Sequence, residues 1–316
     1  MSAPGTDAAV NATKTDLDYT YLAAQNGQLP EAQAREFIQA IADQEGITKV
    51  ANVIGMEAPV QHIPWAGFTG RISFPDRPGI AATEAERSRM AISEAVLRSK
   101  DLKATVFLDY KVQNENIMRW GLAGFVQMEM ARQVGMDTED STLNGDTDSL
   151  DDSLALFDGL IKQVASPIDM TASPIPVTDY PLFLMRQSLP KQYLRDIPNL
   201  VYLCSPHFDG AYQMFCQSNP KSLGVMYKSP DMMGQMAFMG SPIVPLAGMP
   251  DDTLILTHRS NINIGFWLRM FLETQRDIDA GVDKFVLRYS MDATYTFPAG
   301  AVCFQGVEVG IYPSLA

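Results

Sequence analysis

The sequence is short of the residues on which most catalytic chemistry depends. It holds three histidines, His62, His207 and His258, in 316 residues. No G-x-S-x-G turn is present to raise a serine nucleophile above a sheet. Phosphate-cradling glycine loops of the G-x-x-x-x-G-K-[ST] or G-x-G-x-x-G kind are absent as well. The three cysteines, Cys204, Cys216 and Cys303, are an odd number at wide spacing, which argues against a disulfide framework and for a reducing compartment during folding. Cys204 and His207 make half of a zinc site in "CSPHF", yet no second Cys or His pair lies nearby at ligand spacing. The cysteines therefore read as small buried hydrophobes, and His207 and His258 as satisfied polar groups at strand ends. With 37 acids in the chain some carboxylate pair always looks suggestive, so no glycosidase-like pair carries weight without a pocket. Basic charge is scarce too. Lys and Arg number 24 and are scattered, the net charge is −13, and such a surface repels a polyphosphate rather than holding it. No apolar run reaches membrane-spanning length, and "MSAPGTDAAVNATKTDLD" lacks the basic start and apolar stretch of a signal peptide, so export by that route is not expected.

What is present is a chain with 46% hydrophobic residues, enough for a large core divided into about two units. Its 18 methionines suit the filling of irregular core gaps, or contacts that must rearrange. Residues before about 28 are small and polar and read as an arm. "LPEAQAREFIQAIADQEG" then sets Ala34, Phe37, Ile38 and Ile41 at helical spacing, with Gly46 as a stop. From Gln61 to Ile80, "QHIPWAGFTGRISFPDRPGI" is punctuated by Pro and Gly and predicts a long hairpin or protruding loop. Its Trp65, Phe68, Ile72 and Phe74 are too apolar for a free loop, so either the domain folds over them or another subunit covers them. "TEAERSRMAISEAVLRSKD" is rich in helix formers and predicts a helix, and "LKATVFLDYKV" a strand. "NENIMRWGLAGFVQMEMARQVGM" predicts the longest helix, with Met118, Leu122, Val126, Met130 and Val134 four apart and only a narrow wet face. Further on, "LALFDGLIKQVA" predicts a short helix interrupted at Gly159, and "YPLFLMRQSLPKQYLRD" a helix burying Leu182, Met185 and Leu189 until Pro190. "NLVYLCS" and "DTLILTH" read as strands, and "DKFVLRYSMDATYTFPAGAVCFQGVEV" as two or three more. Helices and strands mix without a βαβ rhythm, so the class is α+β.

Between Asp137 and Asp152 the chain reads "DTEDSTLNGDTDSLDD", seven carboxylates around Gly145. Counted from Asp140, the spacing approaches an EF-hand calcium loop offering Asp140, Asn144, Asp146, Asp148 and Asp151. Two positions are wrong. Thr142 stands where Asp or Asn is normal, and Asp151 where a bidentate Glu closes the loop. The blander reading is a solvated acidic turn after a helix, with Asn144 and Gly145 as a hinge tolerating positive φ.

Several segments resemble, in order, the major capsid proteins of tailed bacteriophages, the family with the HK97-type shell fold. "GMDTEDSTLNGDT" is similar to the exit of that family's spine helix, and "FDGLIKQVA" to the F-D-G-[LI] segment after it. "MRQSLPKQYLRDIPNLVYLCSP" and "SPIVPLAGMPDDTLILTHRSNINIGFWLRMFLE" resemble the stretches leading to the later strands. The resemblance spans roughly Asn114 to Val309. It implies an α+β chain divided into an N-terminal arm (1–58), an extended E-loop (59–102), a P-domain with the spine helix (103–149), an A-domain (150–262) and a closing P-domain segment (263–316). It implies no catalysis and no cofactor, but self-assembly into pentamers and hexamers of an icosahedral head enclosing double-stranded DNA. Trp65, Phe68, Arg71, Ile72 and Phe74 of the E-loop would meet neighbouring subunits. Expected partners are further copies, a portal protein and, because the arm is short, a separate scaffolding protein, with a decoration protein as a candidate. The expected place is the virion, after assembly in the bacterial host cytoplasm. The competing reading is a calcium-binding regulatory or interaction protein built on residues 140–151.

Overall fold

The computed structural model describes residues 46–68, 90–109, 122–165, 167–219, 221–226, 236–277 and 279–309, with Arg35, Ile38 and Gln39. A short helix α1 (Ile47–Val50) leads into β1 (Asn52–Met56). Two strands follow, β2 (Val60–Phe68) and β3 (Met90–Arg98), which among the described residues pair antiparallel only with each other. The helix expected over "TEAERSRMAISEAVLRSKD" is thus corrected to a strand from Met90 onward. The local preference of Glu, Ala, Arg and Leu for helix is overridden by nine cross-strand partners from Val60 to Phe68.

Strand β4 (Lys100–Asp109) and helix α2 (Leu122–Asn144) come next. The helix runs two turns beyond Met136, through the first half of the acidic stretch. Its inward face continues past Met130, Ala131 and Val134 into Thr138, Ser141, Thr142 and Leu143, all buried. Hydroxyls carry that face where apolar residues would have announced it. "LALFDGLIKQVA" forms less helix than expected: only Leu160–Gln163, here α3, is helical, and Gly159 caps its start. Two short strands, β5 (Ile168–Asp169) and β6 (Ile175–Pro176), precede α4 (Asp179–Ser188). In α4 Leu182 and Met185 face inward with Leu189 just beyond, as their spacing predicts, and the helix ends before Pro190. Strand β7 (Leu200–Cys204) leads into α5 (Pro206–Ser218), a helix the sequence reading did not single out. Ser205 caps it by accepting from the Phe208 N–H, with Pro206 at the first helical position.

The later strands are β8 (Gly224–Met226), β9 (Met236–Phe238), β10 (Ser241–Pro245), β11 (Thr253–His258), β12 (Ile262–Trp267), β13 (Phe271–Asp277), β14 (Val282–Tyr295), β15 (Val302–Gln305) and β16 (Val307–Glu308). They build two larger sheets. In the first, β12 lies between β1 and the far half of β14, while the near half of β14 is flanked by β13 and β4. The second has seven strands in the order β5-β15-β11-β7-β10-β9-β8.

Alternation along β7 explains how the layers meet. Val201 and Leu203 join a core with α2, α3 and the first sheet, while Leu200, Tyr202 and Cys204 join a second core beneath α4 and α5. A strand buried on both faces reads as a continuous apolar run, which "LVYLC" is. Cys204 and Cys303 are buried, as expected; Cys216 is only half-buried. Met236 and Met249 are buried, while Met239 is exposed.

Candidate assembly surface and hinge

The β2–β3 hairpin carries the apolar loop residues singled out above. Trp65 lies on β2 opposite Ser93 and remains 37% exposed, with its ring edge-on to Phe297 of the same chain at 4.4 Å. The chain therefore covers part of the indole and leaves part of it in solvent. Val60, at the base of the same strand, is exposed too. Phe68 ends β2, opposite Met90. Arg71, Ile72 and Phe74 lie outside the described residues. Across the hairpin His62 Nδ1 lies 3.1 Å from Glu94, with both side chains more than half exposed, so the pair contributes little to stability.

The acidic stretch is two structures rather than one turn. Its first half is helical, and Glu139, 6% exposed, points inward. One carboxylate oxygen accepts from the Ile47 N–H at 3.0 Å, the other from the Gly248 N–H at 2.8 Å. Asn144 donates to the Gly248 carbonyl at 2.8 Å, so the last two turns of α2 grip both polar groups of one glycine peptide. Gly46, at φ 142°, lets the chain pass beside the carboxylate, since a Cβ there would sit 2.2 Å from Glu139 Oε2. Glu139 thereby joins α1, α2 and the loop after β10. Its helical phase, four residues before buried Leu143, was the available signal, hidden by six other acids that read as solvated.

The hinge expectation needs a correction. Gly145 is not among the positive-φ glycines, and its requirement is close approach instead. A Cβ would lie 2.5 Å from the Phe157 carbonyl oxygen and 2.6 Å from that of Ser141, while Gly159 N–H donates to Gly145 O at 2.7 Å. Two glycines let two backbones touch, so this is a locked crossing.

The calcium-loop register is not formed either. Asp140 and Asn144 belong to α2 and bond each other side chain to side chain. The cation among the later acids is Lys162, whose Nζ binds Asp146 and lies 2.8 Å from Asp148 and 3.0 Å from Asp158. Hydrogen bonds from these carboxylates, Asp146 foremost, raise the Lys162 pKa well above its ordinary range, and Lys162 in turn lowers those of Asp146 and Asp158. Asp151 instead accepts from Ser153, through both its hydroxyl and its N–H. Among the described residues no group of three or more His, Cys, Asp or Glu is placed to hold a metal. Cys204 and His207 do not converge on one: Cys204 is fully buried, its pKa raised by desolvation, while His207 is exposed on α5. His258 ends β11 and is satisfied by Ser260 and Asp196, as expected.

No protein-family model matches the chain. A curated protein of Bacillus subtilis (strain 168), named "Putative prophage capsid protein YqbE", is 28% identical over 281 residues, covering 85% of this chain and 89% of that one. Among solved structures, a chain of the satellite phage P4 procapsid including the size determination (Sid) protein superposes with a TM-score of 0.65 at 15% identity, covering 92% of this chain and 96% of that chain. The capsid of an empty GTA particle matches at 0.57 and 13%, over 89% and 100%. The SrpI encapsulin complex of Synechococcus elongatus PCC 7942 matches at 0.58 and 10%, over 96% and 99%. The chain has the HK97-type shell fold, as the order of its motifs implied, and is similar over most of both lengths to a curated prophage capsid protein.

Proposed function

We propose that this chain is the major shell subunit of a tailed-phage head, assembling as pentamers and hexamers into an icosahedral capsid around double-stranded DNA. The observation that carries this reading is the prophage relative, which aligns over most of both chains. The fold alone is shared with an encapsulin and does not choose between the two kinds of shell.

In this reading residues 1–58 act as an arm, 59–102 as the E-loop reaching a neighbour, 103–149 and 263–316 as the P-domain, and 150–262 as the A-domain. The sheets cross these chain boundaries. β1 lies within the arm's range but pairs with β12, and β15 lies within the closing segment but pairs with β11. The half-covered Trp65, with Phe68, Arg71, Ile72 and Phe74 beyond it, meets the next subunit, because a projecting hairpin can complete its burial only on another molecule. A net charge of −13 keeps the wall from gripping DNA, so the genome is enclosed without sequence-specific binding. The portal protein and a separate scaffolding protein are further partners, with a decoration protein as a candidate, and assembly takes place in the bacterial host cytoplasm.

The test is expression of the chain alone and together with a phage scaffolding protein, followed by negative-stain microscopy. Closed shells or capsomer rings are expected. A chain that stays monomeric with and without scaffold overturns the proposal.

A further inference from the structure

The hairpin of β2 and β3 joins the first sheet through one small junction. β3 pairs with β2, whereas β4 pairs with β14, and the single residue Ser99 separates them. The chain changes partner sheet at that residue. Three contacts surround it. Ser99 donates through its N–H and its hydroxyl to the Pro59 carbonyl, at 2.9 and 3.0 Å, which closes the hairpin's own base. Leu97, fully buried, lies over Gly265 of β12, where an added Cβ would come within 2.9 Å of its Cδ1 and 2.6 Å of the Met56 sulfur. The Arg98 N–H donates to Asp292 Oδ2 at 2.6 Å. Gly265 and Asp292 are direct register partners across β12 and β14, so the apolar and the polar anchor occupy one cross-strand pair.

We propose that the Gly265–Asp292 pair is a seat holding the hairpin at one angle to the body, with the Asp292 carboxylate as a proton-dependent positioning group. The seat concerns the isolated subunit and needs no assumption about what the hairpin meets. Leu97 supplies its packing, and the missing Cβ of Gly265 supplies the room. Asp292 is 9% exposed, and its other oxygen accepts from the adjacent Ala293 N–H. Burial raises its pKa, against the lowering effects of the Arg98 and Ala293 amides and of the Lys100 and Arg98 charges. The other groups around it do not offset that burial. Asp101 is turned to the Ser290 hydroxyl, β12 presents uncharged Ile264 and Phe266 beside Gly265, and from α3 the neutral Gln163 amide reaches the Ala293 carbonyl.

Lifting the hairpin would expose Asp292 to water and return its pKa toward the ordinary value. The seated state therefore binds the proton more tightly than the lifted state. By linkage, acid favours seating, and raising the pH through the range where Asp292 titrates loosens it. The sign is opposite to that of an ordinary salt-bridged aspartate.

Hydrogen–deuterium exchange of the full-length subunit, followed in peptides spanning residues 93–102 from the ordinary carboxylate range near pH 4 up to pH 8 and corrected for intrinsic rates, tests this. In the parent chain, protection at Arg98 and Ser99 is expected to fall several-fold as pH rises, with peptides of β7 unchanged. Asp292→Asn keeps an oxygen for the Arg98 N–H and cannot ionise, so its protection is expected to be flat with pH. Protection in the parent that is flat, or that rises with pH, overturns the proposal, as does an Asp292→Asn chain that keeps the parent's pH response. The parent series decides the question by itself if the variant does not fold.

Discussion

Strand β7 and the β2–β3 hairpin are both apolar in sequence, and the structure uses them in opposite ways. Every residue of β7 is buried, its two faces feeding two cores. Among the described residues the hairpin pairs only with itself, leaves Val60 and Trp65 partly in water, and touches the body at its base and, through Trp65, at Phe297. Apolar character in β7 holds the subunit together. In the hairpin it exceeds what one subunit can cover, which suits a surface completed by a neighbour.

The comparison breaks most sharply at Leu203, fully buried on the face of β7 toward α2. Leu203→Ala is expected to cost roughly 2–5 kcal/mol of subunit stability, with assembly failing because the subunit unfolds. Chemical denaturation measures the first and microscopy the second. A variant of native stability would mean that β7 is less central than its burial implies.

Next in size is Glu139→Ala, which leaves the Ile47 and Gly248 amides without their acceptor in the interior. A loss of roughly 2 kcal/mol or more is expected, since each buried polar group left unpaired costs about 1–3 kcal/mol. Glu139→Gln, which retains one acceptor oxygen, should lose less. Equal midpoints for the parent and both variants would remove Glu139 from any part in joining α1 to the loop after β10.

The smallest effect on the subunit, and the sharpest contrast, is expected from Trp65→Ser. It removes one edge-on contact with Phe297, of the order of 1 kcal/mol for an aromatic pair. The denaturation midpoint should move little while shell formation is lost. If the variant instead unfolds as Leu203→Ala does, Trp65 belongs to the subunit's own core and the distinction between the two regions collapses.

Legibility in the sequence followed the source of each element's stability. "LVYLC", "TLILTH" and the Leu182, Met185, Leu189 spacing could be read because burial of side chains alone defines those elements. β3 was misread because its residues favour helix locally and only its pairing with β2 makes it a strand. The end of α2 was misread because its inward face passes from Val134 to Thr138, Ser141 and Thr142, where hydroxyls stand at core positions. Of the candidate assembly residues, Trp65 could be picked out as an aromatic too apolar for a free loop. Asp292 and Glu139 could not, because nothing in a carboxylate's sequence context reveals that a distant backbone amide will come to it.

By itself, the sequence determined the shortage of catalytic groups, the acidic surface, the α+β class and the order of motifs that matches a shell protein. Composition and short-range periodicity carry all of these. The tertiary structure decided which acids are buried, that Lys162 occupies the acidic cluster, that Gly145 serves a close crossing rather than a left-handed turn, and where the hairpin is seated. Each of these depends on groups brought together from far along the chain. A carboxylate's role is set by the partners that reach it, and those become visible only once the chain has closed around it.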